Sequence, residues 1–222
     1  MIPAMKTIAF ITAKGGPGKS TLAASVAVAA SQAGETVYVI DMDPQESLYK
    51  WGQRRKPHAE EPAVDKTTAD KLQAAVASLK KAGYSLVIID TAGVDMAANS
   101  AAMAVADLCL VPSRPSQLDI EAAKPTVSSL LRLKRKFAFV LNQCPTARLS
   151  RPTDAARALA LMGGLALPFI GQRVDHMDAM ATGQGVTERD PEGKAADEIR
   201  QLWGWIKNQV ENKADGQKTR VA

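Results

Sequence analysis

Two cysteines and two histidines are all that the 222 residues offer of the side chains most used for disulfides and transition metals. Cys109 and Cys144 lie in or beside apolar runs with no histidine close by. Their spacing excludes a metal knuckle and a disulfide-stapled fold, and both are expected as buried, reduced thiols. His58 and His176 are isolated and are expected on the surface or in loops. No apolar run approaches the roughly 18 residues of a membrane span. The opening MIPAMKTIAF lacks a basic start, a long apolar stretch and a cleavage site in succession, so a cytoplasmic protein is expected. Hydrophobic residues at 46%, charged residues at 23% and a mean hydropathy of −0.12 exclude a disordered or collagen-like chain. The length suits one sizeable core.

Acidic residues are scarce in one region. The formal net charge is +5, and between Ser113 and Arg151 eight basic residues face only Asp119 and Glu121. Such a basic stretch is the electrostatic footprint of a polyanion partner, or a solvated helix face.

What the sequence does have is alternation. Short β-branched runs at Lys6–Ala13, Thr36–Asp41, Tyr84–Asp90, Leu108–Val111 and Phe137–Leu141 read as strands, with Ala166–Ile170 as a last short one. Helical spacing occupies Lys19–Ala33, Pro44–Arg55, Thr68–Ala82, Asn99–Ala106, Leu118–Leu133, Thr153–Met162 and Pro191–Gln209. Gly34 and Gly83 follow helices as C-terminal caps. Lys56–Thr67 has no period and reads as a loop. Strands that alternate with helices pair in parallel, and continuous apolar strands are covered on both faces. The expectation is one α/β domain over residues 1–210, a P-loop NTPase-like parallel twisted sheet with helices on both faces. The polar tail 211–222 is expected to fray.

The strongest motif is Lys14-Gly15-Gly16-Pro17-Gly18-Lys19-Ser20-Thr21, between the first strand and first helix. Glycines let the backbone curl with N–H groups inward, and the helix that follows presents a positive end. Lys19 supplies a charge for the terminal phosphates, and the Ser20 hydroxyl suits Mg²⁺. Asp41 and Asp43 close the second strand and Asp90 closes the third. In an open parallel sheet these carboxylates converge where ligands bind, and Asp90 suits Mg²⁺ through water.

Position 13, glycine in the general phosphate-loop pattern, is Ala13, and Lys14 follows. This form resembles the deviant Walker A motif of the ParA/MinD family of ATPases. The DMDPQ and DTAG segments, Val111–Asp119, and the stretch from Gln172 to Glu198 resemble the ParA branch, so the likeness runs from residue 6 to about 206.

The resemblance implies a Mg²⁺-dependent, slow, partner-stimulated ATPase. Lys14 then matches the signature lysine, which crosses a dimer interface to the partner's ATP. Gly15 to Gly18, Lys19, Ser20 and Thr21 would hold the phosphates and Mg²⁺. Asp43 resembles the residue that positions the attacking water, and Asp41 an outer Mg²⁺ support. Asn142 matches the adenine contact. The implied cycle is an ATP-sandwich homodimer that binds DNA nonspecifically, meets a centromere- or cargo-binding activator, and moves a cargo, foremost a plasmid, over the nucleoid. With no room before Lys14 for an operator-binding domain, the chain resembles the small class. Charge nominates Arg148, Arg151, Arg173, Lys207 and Lys213 for DNA, with Lys134–Lys136 at the sheet's other end.

Two other readings compete. A membrane-cycling ATPase of the MinD kind would use Ile199, Leu202, Trp203, Ile206 and Val210 as an anchor, although the following tail is polar and no stable membrane insertion is expected. A metabolic P-loop enzyme would need a second constellation, and none is visible.

Overall fold

The computed structural model describes residues 4–57, 59–93, 95–146 and 150–211. A seven-stranded, wholly parallel sheet forms the centre. The chain runs β1 (Lys6–Phe10), α1 (Lys19–Gln32), β2 (Val37–Met42), α2 (Ser47–Arg55), β3 (Ala63–Lys66), α3 (Leu72–Lys81), β4 (Leu86–Thr91) and α4 (Met96–Val105). It continues through β5 (Leu108–Ser113), α5 (Gln117–Arg132), β6 (Phe137–Leu141), α6 (Ser150–Ala160), β7 (Gly164–Leu165), α7 (Val174–Thr182), α8 (Val186–Arg189) and α9 (Lys194–Glu211). In space the strands lie β3-β2-β4-β1-β5-β6-β7.

Every central strand is apolar on both faces because both faces are covered. Ile8, Phe10, Val39, Ile88, Leu110 and Val140 pack against α1, α2, α7, α8 and α9. Ala9, Ile11, Ile40, Ile89, Val111 and Phe139 pack beneath α3, α4, α5 and α6. Helix α1 lies deep in the first layer, buried from Leu22 to Ala30 and built of alanine, valine and serine after Leu22. Its small side chains let sheet and helices approach it from every side. Gly34, at φ 90°, ends it by donating to Ser31 O.

On the far side of that layer, α2 is fastened to the end of α8. Arg55 is buried and makes two parallel bonds to Glu188, Nη1 to Oε2 at 2.8 Å and Nη2 to Oε1 at 2.7 Å. It also donates to Glu61 O and Gly183 O. Burial by itself would raise the Glu188 carboxyl, but the Arg55 guanidinium and the Gly185 N–H outweigh it and hold it low.

Three expectations need correction. The stretch 56–67 is not all loop, because Ala63–Lys66 adds β3 to the edge of β2, Tyr38 pairing with Ala63 and Asp41 with Lys66. An edge strand needs only one backbone ladder and no apolar run, so half-exposed AVDK gives no periodic signal. The last strand is Gly164–Leu165, not Ala166–Ile170, although Ala166 and Ile170 still donate to the carbonyls of Phe139 and Leu141. His176 lies neither on the surface nor in a loop but buried in α7, and burial pulls its pKa down. Cys109 and Cys144 are free and buried, and burial pushes each thiol up to about 12. His58, Arg148 and Lys213 lie outside the described residues.

The tightness around α1 has a measurable consequence. Ala27→Leu adds three carbons where Ala27 is wholly buried. Chemical denaturation should show a loss of about 1–3 kcal/mol, the usual cost of overpacking. A neutral result would mean that the α1 environment relaxes freely.

Candidate functional site

A parallel sheet puts all carboxyl ends on one edge, so residues far apart in sequence meet there. Asp41 and Asp90 are lateral partners in the β2–β4 ladder, and the loop after β1 lies beside β4. An open cavity of ≈990 Å³ occupies this edge. The loop and start of α1 line it through Gly15, Gly16, Gly18, Lys19, Ser20 and Thr21. Asp43, Arg54, Ala92, Gly93, Gln143 and, from α7, Met177 and Met180 are among the other lining residues. Gly93 meets the loop main chain directly. A Cβ there would lie 2.7 Å from the Lys14 carbonyl and 2.8 Å from Gly15 N, so a side chain would push the loop away.

Lys19 opens α1 and is buried. Burial draws its pKa down, while Asp90 and Asp43 oppose that shift. Asn142 donates its amide to Pro17 O at 2.8 Å. Because the peptide is planar and trans, that pull turns the Gly18 N–H the opposite way. Asn142 is thus engaged with the loop itself, and it is the neighbouring Gln143 that lines the cavity. Pro17 stands between two left-handed glycines, Gly16 at φ 94° and Gly18 at φ 87°.

The three carboxylates occupy different situations. Asp41 accepts three backbone N–H bonds, from Asp43 at 2.9 Å, Leu48 at 2.9 Å and Tyr49 at 2.8 Å. It braces the β2–α2 connection and the start of α2, and burial still lifts its pKa. Asp43 is half-exposed at the cavity and accepts from Gln45 N. Asp90 is wholly buried, and neither oxygen has a hydrogen bond of standard geometry. Burial raises it to about 7, partly offset by the nearby Ser20 hydroxyl and Lys19, and increased by Asp41 and Asp43.

An orphaned buried carboxylate beside a hydroxyl is what a hydrated Mg²⁺ needs. Among the described residues no cluster of three or more His, Cys, Asp or Glu side chains makes a metal cage of its own. The oxygen donors of Ser20 and Asp90 therefore fit Mg²⁺, which Ser20 would hold directly and Asp90 through water.

Lys14 reaches across to α5, where its Nζ lies 3.3 Å from Asp119 Oδ1. Ser116 caps α5 and bonds the other Asp119 oxygen at 2.5 Å. Asp119 and Arg114 sit in the Val111–Asp119 segment that sequence marked without assigning them roles. Only the fold puts that segment next to the loop.

Of the charge-nominated DNA residues, the two whose side chains are described, Arg173 and Lys207, lie apart. Arg173 is bound to Glu198 at 2.6 Å, near α7 and the carboxyl edge. Lys207 is bound to Glu35 at 2.9 Å, past the end of α1 and thus toward the other edge. Arg151 falls in α6. Lys134, Arg135 and Lys136 precede β6 at the amino edge, as their place in the sequence suggests, and Lys136 donates to Gln209 O.

Known proteins share this architecture. A family model described as the CobQ/CobB/MinD/ParA nucleotide binding domain matches residues 8–186. Maintenance of carboxysome distribution protein A from Halothiobacillus neapolitanus is 28% identical over 207 residues, covering 88% of this chain and 94% of that one. The MinD cell division protein of Aquifex aeolicus superposes with a TM-score of 0.74 at 18% identity, over 91% of this chain and 97% of its own. The septum site-determining protein MinD of Pyrococcus horikoshii, complexed with Mg-ADP, gives 0.70 at 17% identity, over 98% and 100%.

The Asp90 geometry makes a pH-dependent prediction. Its folded value near 7 lies above the ordinary 3.8, so the folded state disfavours the ionised form. The resulting penalty is present above pH 7 and is relieved as pH falls from there toward 4. In nucleotide-free thermal unfolding, Asp90→Asn should therefore exceed wild type at pH 8, and the gap should shrink at pH 5. A gap that does not change with pH would contradict a buried, ionising Asp90.

Proposed function

The chain belongs to the CobQ/CobB/MinD/ParA family of nucleotide-binding domains, a ParA/MinD-type ATPase, and from that premise we propose a Mg²⁺-dependent, partner-stimulated ATP hydrolase that switches between a monomer and an ATP-sandwich dimer to position a cargo. The observation that carries this reading is the juxtaposition of buried Lys19, the orphaned Asp90 carboxylate and Ser20 beneath the glycine loop.

Each residue then has a task. The loop N–H groups and the N-terminus of α1 cradle the β-phosphate, and Lys19 lies against the β- and γ-phosphates. Mg²⁺ held by Ser20 would neutralise charge on the leaving and transferring groups. Asp90 would accept from the waters of such an ion. Asp43, at the cavity mouth, orients the attacking water, and Asp41 fixes the connection that carries Asp43. Met177 and Met180 offer an apolar wall for the nucleoside. Lys14 acts from one copy on the ATP of the other, which requires it to leave its own Asp119.

Exposed apolar side chains support the dimer. Met96, Leu118, Val174 and Met177 all lie in the first turns of helices on the carboxyl edge, Met177 lining the cavity, and all are exposed. A second copy laid on this edge would cover them. The membrane-cycling alternative gains nothing from α9. Ile199, Leu202, Trp203 and Ile206 are spent in the core, and no helix among the described residues is long and apolar enough to cross a membrane. The carboxysome-distribution relative brings that body forward as a cargo alongside the plasmid.

Removing one charge from the transition state lowers turnover by about 10²–10³. Lys19→Ala should do so in a phosphate-release assay, and turnover above a tenth of wild type would overturn the phosphate-loop assignment. Size exclusion with ATP separates the other roles. Asp43→Ala should accumulate as a dimer, whereas Lys14→Ala should bind ATP and stay monomeric.

Nonspecific DNA binding is tested by anisotropy on random duplex with ATP, with ADP and without nucleotide. Binding confined to ATP is expected, with log affinity falling by about 0.9 per phosphate contact for each unit of log salt. Equal binding in all three states would remove the switch.

A further inference from the structure

A loop that aims its N–H groups at phosphates must turn its carbonyls outward, and each of those carbonyls needs a donor. The Gly16–Pro17 peptide is a special case, because Pro17 has no N–H. The only polar atom through which this peptide can be held is the Gly16 oxygen. Two side chains reach it. Arg114 donates from Nη2 at 2.7 Å, and Gln143 donates from Nε2 at 3.1 Å.

Arg114 comes from the end of β5, ninety-eight residues away, and its guanidinium lies against the loop. The fit is close. A Cβ built on Gly16 would overlap the Arg114 Nη2 atom, and Gly16 is left-handed at φ 94°. The left-handed turn is what requires glycine at position 16, since the tip of a flexible arginine could give way to a Cβ. The Arg114 Nε–H is buried and has no hydrogen-bond partner. A buried unpaired donor is costly, and the guanidinium holds the Gly16 carbonyl while leaving another of its own donors unmet.

We propose that Arg114 is a positioning residue of the nucleotide site, acting through the Gly16 carbonyl. It rests on the nucleotide reading above and adds to it a cation outside the phosphate-loop motif. The guanidinium holds the Gly16–Pro17 segment outward with a charge-assisted bond, stronger than the neutral one from Gln143. It also offsets the negative end of a carbonyl dipole that would otherwise face toward an incoming polyanion. Neither effect distinguishes a diphosphate from a triphosphate. Arg114 thus governs how tightly either nucleotide is held, before any chemistry.

The test measures the Kd of a fluorescent ADP and a fluorescent non-hydrolysable ATP analogue, both with Mg²⁺, and the turnover of ATP. Four proteins are compared: wild type, Arg114→Ala, Arg114→Gln and Arg114→Lys. Loss of a hydrogen bond to a charged group is worth about tenfold or more. Arg114→Ala should weaken both nucleotides by about that factor, and by similar amounts, with the fall in affinity larger than the fall in kcat. Arg114→Gln keeps a donor without the charge and Arg114→Lys keeps both in part, so each should recover some affinity. Nucleotide-free melting temperatures report folding separately. Kd values within twofold of wild type for both nucleotides would overturn the proposal, as would a loss confined to kcat or an equal loss in all three variants. If wild type binds neither nucleotide, the nucleotide reading itself fails, a result distinct from normal wild-type binding that Arg114→Ala leaves unchanged.

Discussion

Parallel pairing governs this molecule. Once β1, β2, β4, β5 and β6 run the same way, their carboxyl ends must share one edge, and whatever follows each strand is delivered there. The glycine loop follows β1, the Asp41–Asp43 corner closes β2, Asp90 sits in β4, Arg114 follows β5 and Asn142 follows β6. None of these residues needs a dedicated scaffold. Burial of both sheet faces holds the strands rigid, and the site inherits that rigidity.

The same burial makes the site electrostatically expensive. Lys19 and Asp90 are both drawn toward their neutral forms by loss of water, and each partly rescues the other. Asp41 escapes more of the penalty by accepting three backbone N–H bonds. Asp90 accepts no bond of standard geometry and is the least content of the three. A carboxylate kept in that condition is suited to a cation that arrives with its own waters.

Around the loop, contacts from distant strands do what the motif cannot do alone. Asn142 holds Pro17, Arg114 and Gln143 hold Gly16, and Asp119 holds the Lys14 ammonium. The first three orient backbone, each by donating to a loop carbonyl. The fourth occupies the side chain that the dimer reading needs elsewhere. Asp119 is buried but the Lys14 side chain is exposed, so water screens the pair from the lysine side.

The alternation of strands and helices, the cap glycines and the phosphate loop were legible because each depends on neighbours within a few residues. Apolar period, left-handed turns and a strand–loop–helix order are short-range physics. The edge strand Ala63–Lys66 was not legible, since a backbone ladder to β2 holds it and its side chains carry no pattern. Helices α7 and α8 were hidden for a related reason. Beside each other and α9, they pack on Arg55 and the α1 surface, more than a hundred residues away. The pairing of Arg173 with Glu198 and Lys207 with Glu35 likewise turned two apparently available cations into brace points. Sequence determined which groups this chain carries to the carboxyl edge, because strand ends are local. Only the tertiary structure decided which of them remain free to meet a ligand, because partners are chosen by proximity in space.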